Sequence, residues 1–142
     1  MNISLDIGAF TPEKAHPQDA GLDLKSPVQT VIRARNSSVI DTGVHMEIPN
    51  GYAGLLVSKS GLNTNHGITS TGLIDSGYTG SIKAKLYNHS DSDYTVNRGD
   101  KITQLVLIPI AHFPNKIDDI CIVDKLRTES ERGDNGFGSS GR

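Results

Sequence analysis

Apolar and polar residues alternate along this chain in short runs, and turn residues interrupt almost every run. Val44-His45-Met46-Glu47-Ile48 alternates and stops at Pro49-Asn50-Gly51, and Tyr52 to Val57 forms a second short run. Ser81 to Asn88 alternates cleanly, which puts Ile82, Ala84 and Leu86 on one face and Lys83, Lys85 and Tyr87 on the other. Tyr94-Thr95-Val96 leads into the turn Asn97-Arg98-Gly99-Asp100. Ile102 to Ile110 is the most apolar stretch; Ile102, Leu105 and Leu107 read as core, while Pro109 limits ladder pairing. Ile120-Cys121-Ile122-Val123 reads as a last strand. A short helix is expected only from Ser60 to His66, with Ser60 as its cap. Strands at this spacing, divided by Gly and Pro, predict an all-β sandwich, jelly roll or barrel. Beyond Val123 the chain turns charged and then glycine-rich, with Leu126 and Phe137 its only large apolar side chains. Such a segment cannot bury itself and is expected to be mobile until something orders it.

Composition narrows the picture. At 142 residues, one domain with a real core is expected, and with aromatics at 5% and no Trp that core must be Ile, Leu and Val. A net charge of -2 argues against a nucleic-acid backbone as partner. The single cysteine, Cys121, allows no internal disulfide and fits a reducing, cytoplasmic compartment. Met1 to Asp6 has no signal-peptide character, and no run approaches about 18 apolar residues, so no membrane partner is expected. His16, His45, His66, His89 and His112 have no metal-ligand spacing.

Candidate chemistry concentrates in two segments. In Gly72-Leu73-Ile74-Asp75-Ser76-Gly77-Tyr78-Thr79-Gly80 a carboxylate ends an apolar run, an aromatic follows three residues later, and glycines flank both. An aspartate beside glycine is commonly a turn residue bonding its own backbone, but a carboxylate so placed can also take a proton from water. The tail Arg132-Gly133-Asp134-Asn135-Gly136-Phe137-Gly138-Ser139-Ser140-Gly141-Arg142 carries a guanidinium, a ring and two hydroxyls on a flexible backbone. An acid, a ring to pack on and a mobile phosphate clamp indicate nucleotide chemistry.

Together these segments closely resemble motifs three and five of the homotrimeric dUTPases, the deoxyuridine triphosphate nucleotidohydrolases. Ala20-Gly21-Leu22-Asp23-Leu24 resembles motif one, Ser58-Lys59-Ser60-Gly61-Leu62 motif two, and Gly99-Asp100-Lys101-Ile102-Thr103-Gln104-Leu105 motif four. The resemblance implies a jelly-roll homotrimer, with a β domain over 1–125 and a mobile lid over 126–142. It implies Mg²⁺-dependent hydrolysis of dUTP to dUMP and pyrophosphate, which supplies dUMP for dTMP synthesis and limits uracil in DNA. Asp75 takes the place of the residue that activates the attacking water, and Tyr78 that of the ring that packs on deoxyribose. The hairpin from about Ile68 to Tyr78, with Thr69, Gly72, Leu73 and Ile74, corresponds to the uracil reader, and Lys83 borders the nucleotide. Thr69 stands where many members carry asparagine, and Ser58 and Lys59 replace a proline and an arginine. By the same resemblance Lys59, Ser60, Gly61 and Gln104 face the phosphates, and Asp23 reaches the metal through water. Arg132 pairs with the terminal phosphates, Phe137 stacks over uracil, and Gly138, Ser139 and Ser140 complete an anion nest. Mg²⁺ is expected to be held mainly by the triphosphate. A dCTP deaminase of the same fold would need an additional glutamate, and none lies near Asp75. A nucleotide-responsive regulatory protein is the reading from another class, and the intact Asp75 favours turnover over it.

Overall fold

The computed structural model describes residues 1–111 and 120–124. In chain order the elements are β1 (Ile3–Leu5), β2 (Gly21–Lys25), β3 (Thr30–Ile32), β4 (Ser37–Asp41), β5 (Val44–Met46), β6 (Tyr52–Val57), α1 (Ser60–His66), β7 (Ile68–Ile74), β8 (Lys83–Asn88), β9 (Tyr94–Val96) and β10 (Lys101–Pro109). Six strands form one sheet in the order β2-β10-β6-β7-β8-β4, and β1–β5 and β3–β9 form two small pairs. The pairings are antiparallel. The result is an all-β, curled, jelly-roll-like domain whose compact unit runs from Met1 to Ala111.

Alternation decides which side chains build the core. Ile82, Ala84 and Leu86 are buried, while Lys83 and Lys85 are exposed, as the period of two requires. Leu24, Val44, Met46, Leu56 and Leu105 anchor one apolar cluster. Ile32, Ile40, Ile68, Leu86, Val96 and Ile102 anchor a second. Each such buried aliphatic side chain contributes about 1.5–3 kcal/mol relative to exposure.

The structure corrects several expectations. Ile120 to Val123 is exposed and forms no strand, having no partner strand among the described residues. Leu107 is 36% exposed, because β10 buries one face and Leu107 lies toward its less covered end. The helix runs from Ser60 to His66 as expected, but Lys59, with extended backbone, is its N-cap and makes no side-chain cap bond. Ser60 is instead the first helical residue. Gly67 closes the helix in the left-handed conformation at φ 65°, donating its N–H to Asn63 and Leu62 carbonyls. Strand β2 escapes a period-two reading because it is buried on both faces.

Candidate active site

Strand β7 changes partner halfway along its length. It pairs with β8 at Ile68↔Asn88, Thr69↔Tyr87 and Ser70↔Leu86. From Thr71 to Ile74 it pairs with β6 instead, from Val57 to Gly54. Residues Lys83 to Lys85 of β8 meanwhile remain on β4. The two strands therefore diverge after Ser70, and their facing backbone edges carry no ladder beyond that point. At this mouth lies a cavity of about 200 Å³ lined by Leu73, Ile74, Asp75, Tyr78, Ser81 and Lys83.

Asp75 sits at the tip of β7, anchored by Ile74, which packs on the first apolar cluster. Its backbone carbonyl accepts from the Tyr78 N–H at 3.0 Å, which closes a tight turn. Its carboxylate is exposed and has no hydrogen-bond partner among the described residues. The turn bond thus uses the main chain and leaves the carboxylate able to accept a proton from water. Tyr78 folds over the turn and donates its hydroxyl to the Ser81 carbonyl at 3.0 Å. A Cβ at Gly80 would collide with this ring, so the glycine is needed for the aromatic to lie where it does. Gly72 passes over Leu56, where a Cβ would stand 3.2 Å from Cδ1.

A second group forms on β2, β10 and the end of β6. Asp23 and Gln104 are direct cross-strand partners, and Gln104 also pairs with Val57, two residues before Lys59. Asp23 is buried, and both its carboxylate oxygens accept from ammonium groups. Lys59 Nζ lies 2.6 Å from Oδ1 and Lys101 Nζ 3.0 Å from Oδ2. Lys101 also reaches Glu13 Oε1 at 3.1 Å, and Lys25 reaches the same oxygen at 2.9 Å. The Asp23 carboxylate, and after it that of Glu13, holds the Lys101 ammonium above the usual lysine range. Lys25 and then Lys101 hold the Glu13 carboxyl below its ordinary value. Three ammonium groups against two carboxylates leave this patch net positive, which suits an incoming anion. Ser60 and Gly61 are exposed at the start of α1, beside Lys59. Lys101 and Glu13 escaped the sequence reading; Lys101 lies inside the Gly99–Leu105 segment and was legible there, whereas Glu13 has no local signal.

The two groups are not adjacent within one chain. Gly54, the β6 partner of Ile74, is five residues from Lys59, about 15–17 Å at the rise of a strand. Thr69 belongs to neither group. It sits on the β7–β8 ladder opposite Tyr87, and its hydroxyl meets His89 Nε2 at 2.8 Å. Arg132, Phe137, Gly138, Ser139 and Ser140 lie outside the described residues. Among the described residues, no three His, Cys, Asp or Glu side chains come together to cage a metal, and no helix is long and apolar enough to cross a membrane.

An exposed carboxylate beside a tyrosine-lined cavity, and a separate cationic patch, lie on one curled antiparallel sheet. The family model for dUTPase matches residues 9–141. The chain belongs to the dUTPase family, and it is a dUTP diphosphatase. A deoxyuridine 5'-triphosphate nucleotidohydrolase of Tropheryma whipplei is 41% identical over 139 residues, covering 95% of this chain and 91% of that protein. One from Clostridium acetobutylicum is 41% identical over 140 residues, covering 96% and 92%. The dUTPase of Staphylococcus bacteriophage 80alpha, solved with dUPNHPP, superposes with a TM-score of 0.88 at 31% identity, covering 99% of this chain and 98% of that one. A mutant dUTPase from phage phi11 of S. aureus, described with a structural Mg(II) ion, superposes at 0.77 and 29% identity, covering 87% and 96%.

Proposed function

We propose that this enzyme cleaves dUTP by in-line attack of water at the α-phosphorus, with Asp75 as general base. Water oxygen bonds to phosphorus, its proton passes to the Asp75 carboxylate, and the bond to the bridging oxygen of the β-phosphate breaks, releasing pyrophosphate and dUMP. The observation that carries this reading is the cavity at the parted hairpin, where Asp75, Tyr78 and Lys83 meet. The backbone edge of Gly72, Leu73 and Ile74 that faces away from β6 carries no ladder, so it can offer N–H and C=O groups to the edge of a uracil, and a rigid wall there excludes the thymine methyl. The Tyr78 ring leaves no room for a 2'-hydroxyl. Because Thr69 is engaged on the ladder, Thr69→Ala is expected to change the dUTP-over-dTTP preference by less than about tenfold, or 1.4 kcal/mol. Competition kinetics with both nucleotides measure it, and a larger collapse would make the Thr69 hydroxyl a main reader.

Lys59, Ser60, Gly61 and Gln104 bind the phosphates, and the tail over 126–142 closes the site with Arg132, Phe137, Gly138, Ser139 and Ser140. Mg²⁺ fits as a group held by triphosphate oxygens and water, since the described residues offer no cage of carboxylates. When bound, it neutralises charge developing on the phosphates. Asp23, whose two oxygens each accept from a lysine, would reach it through water. The reaction takes place in the cytoplasm, supplies dUMP for dTMP synthesis and keeps uracil out of DNA.

The separation of the two groups supports sites shared between copies, and in the homotrimer that the family resemblance implies one copy contributes Asp75 and Tyr78 and another contributes Lys59 and Gln104. Mixing copies tests this. Asp75→Asn chains and chains carrying both Lys59→Ala and Gln104→Ala are each expected to be nearly inactive. Unfolded and reassembled together in equal amounts, they are expected to regain roughly a quarter of wild-type turnover, because random assortment restores that share of sites. No regain in mixed trimers confirmed by native mass spectrometry would put both groups in one copy's site.

A further inference from the structure

The segment from Asp41 to His45 runs beside the return arm of the substrate hairpin and holds it at several points. The Asp41 carboxylate accepts from the Ser81 hydroxyl. Thr42 donates twice to the Ile82 carbonyl, from its N–H at 3.1 Å and from Oγ1 at 2.7 Å. The Ile82 N–H donates to the Val44 carbonyl at 2.8 Å. These contacts fix the base of the arm. His45 reaches further, placing Nδ1 2.9 Å from the Thr79 carbonyl, one residue from Tyr78. Its Nε2 lies 3.2 Å from Asp6 Oδ1. Asp6 is itself tied to the same segment, its N–H donating to the Gly43 carbonyl at 2.8 Å.

We infer that His45 is a positioning residue for the nucleotide. It fixes the Thr79 carbonyl and thereby sets where the Tyr78 ring stands at the mouth of the cavity. His45 does not line the cavity of Asp75 and Tyr78; it acts through one backbone peptide. The inference rests on the reading of Tyr78 as the wall against the sugar.

The chemistry of the two contacts differs. A carbonyl only accepts, so Nδ1 carries a proton in the neutral and the charged ring alike. Nε2 can donate to the Asp6 carboxylate only when the ring is an imidazolium. The groups that face it are the Thr79 carbonyl and the carboxylates of Asp6 and Asp41, with Glu47 lining the same small cavity and Lys83 near enough to Asp41 to favour its charged form. The Thr79 carbonyl first, and Asp6 after it, raise the His45 pKa above its ordinary 6.5. Below that raised value both tethers are present. As pH climbs through it, the Asp6 tether is lost and the Thr79 tether remains.

Steady-state kinetics with dUTP and UTP across pH 6 to 9 test the inference on the full-length enzyme. His45→Ala is expected to raise KM for dUTP by about three- to tenfold, the scale of one lost hydrogen bond, and to lower the dUTP-over-UTP preference, with kcat within about twofold. His45→Asn places an amide N–H where Nδ1 stood and is expected to restore most of KM at the lower pH. In the wild type, KM is expected to rise about two- to threefold through the His45 titration, a step the asparagine variant lacks. An unchanged KM in His45→Ala, or an asparagine variant as impaired as alanine at equal thermal stability, overturns the role. Tyr78→Ala is the reference. If it leaves the dUTP-over-UTP preference intact, the sugar-wall reading fails, and the KM comparison alone then decides whether His45 positions the hairpin.

Discussion

Asp75→Asn is expected to lower kcat for dUTP by about 10²–10⁴-fold, the usual worth of a positioned general base. KM and binding of a non-hydrolysable dUTP analogue are expected to stay close to wild type. The amide is nearly isosteric, and the backbone carbonyl that closes the turn onto Tyr78 is untouched. The Asp75 side chain is exposed and bonds to no described residue, so folding stability is expected to move by no more than about 0.5 kcal/mol. Pyrophosphate release under single-turnover conditions separates chemistry from binding. Near-normal turnover would remove Asp75 from the catalytic role, while loss of analogue binding would make it a binding residue.

Removal of residues from Arg132 onward is expected to lower turnover by at least about 10²-fold, or roughly 2.7 kcal/mol at the transition state, while leaving thermal stability and oligomer size nearly unchanged. Among the described residues, every member of the two apolar clusters lies before residue 106, so the cut leaves those clusters whole. It does remove Arg132, Phe137 and both serines, and with them charge on the terminal phosphates and a cover against water. In the intact enzyme, a non-hydrolysable dUTP analogue is expected to protect the segment after Lys125 from protease. Full-rate hydrolysis by the truncated chain would exclude the lid role, as would a protease pattern indifferent to the nucleotide.

Local chemistry made some parts of this protein legible in its sequence. Ile82, Ala84 and Leu86 alternate with lysines, and a period of two has one physical solution, a strand with one buried face. Asp75 and Tyr78 stand three residues apart in a glycine-bounded turn, and turn chemistry is local, so their joint presence at one mouth could be read directly. Lys59 is expected at the phosphates only through the resemblance of Ser58 to Leu62 to the family's second motif.

What the sequence alone could not decide depends on long-range pairing. The parting of β7 from β8 after Ser70 arises because β7 moves onto β6, a strand that precedes it by a whole helix, and this divergence opens the cavity. The same register leaves Thr69 on the closed ladder, bonded to His89 twenty positions away. Antiparallel pairing of β2 with β10 brings Asp23 against Gln104 and Lys101 across some eighty residues, and no local periodicity encodes such a contact. Ile120 to Val123 fails as a strand for the converse reason: apolar β-formers make a strand only where another strand supplies hydrogen bonds. The sequence by itself determined the class of fold and the chemical groups proposed for the site. The tertiary structure decided where the hairpin opens and which lysines hold Asp23. It also set Ile74 level with Gly54 of β6, five residues before Lys59, because these facts follow from strand register rather than from any residue's own preference.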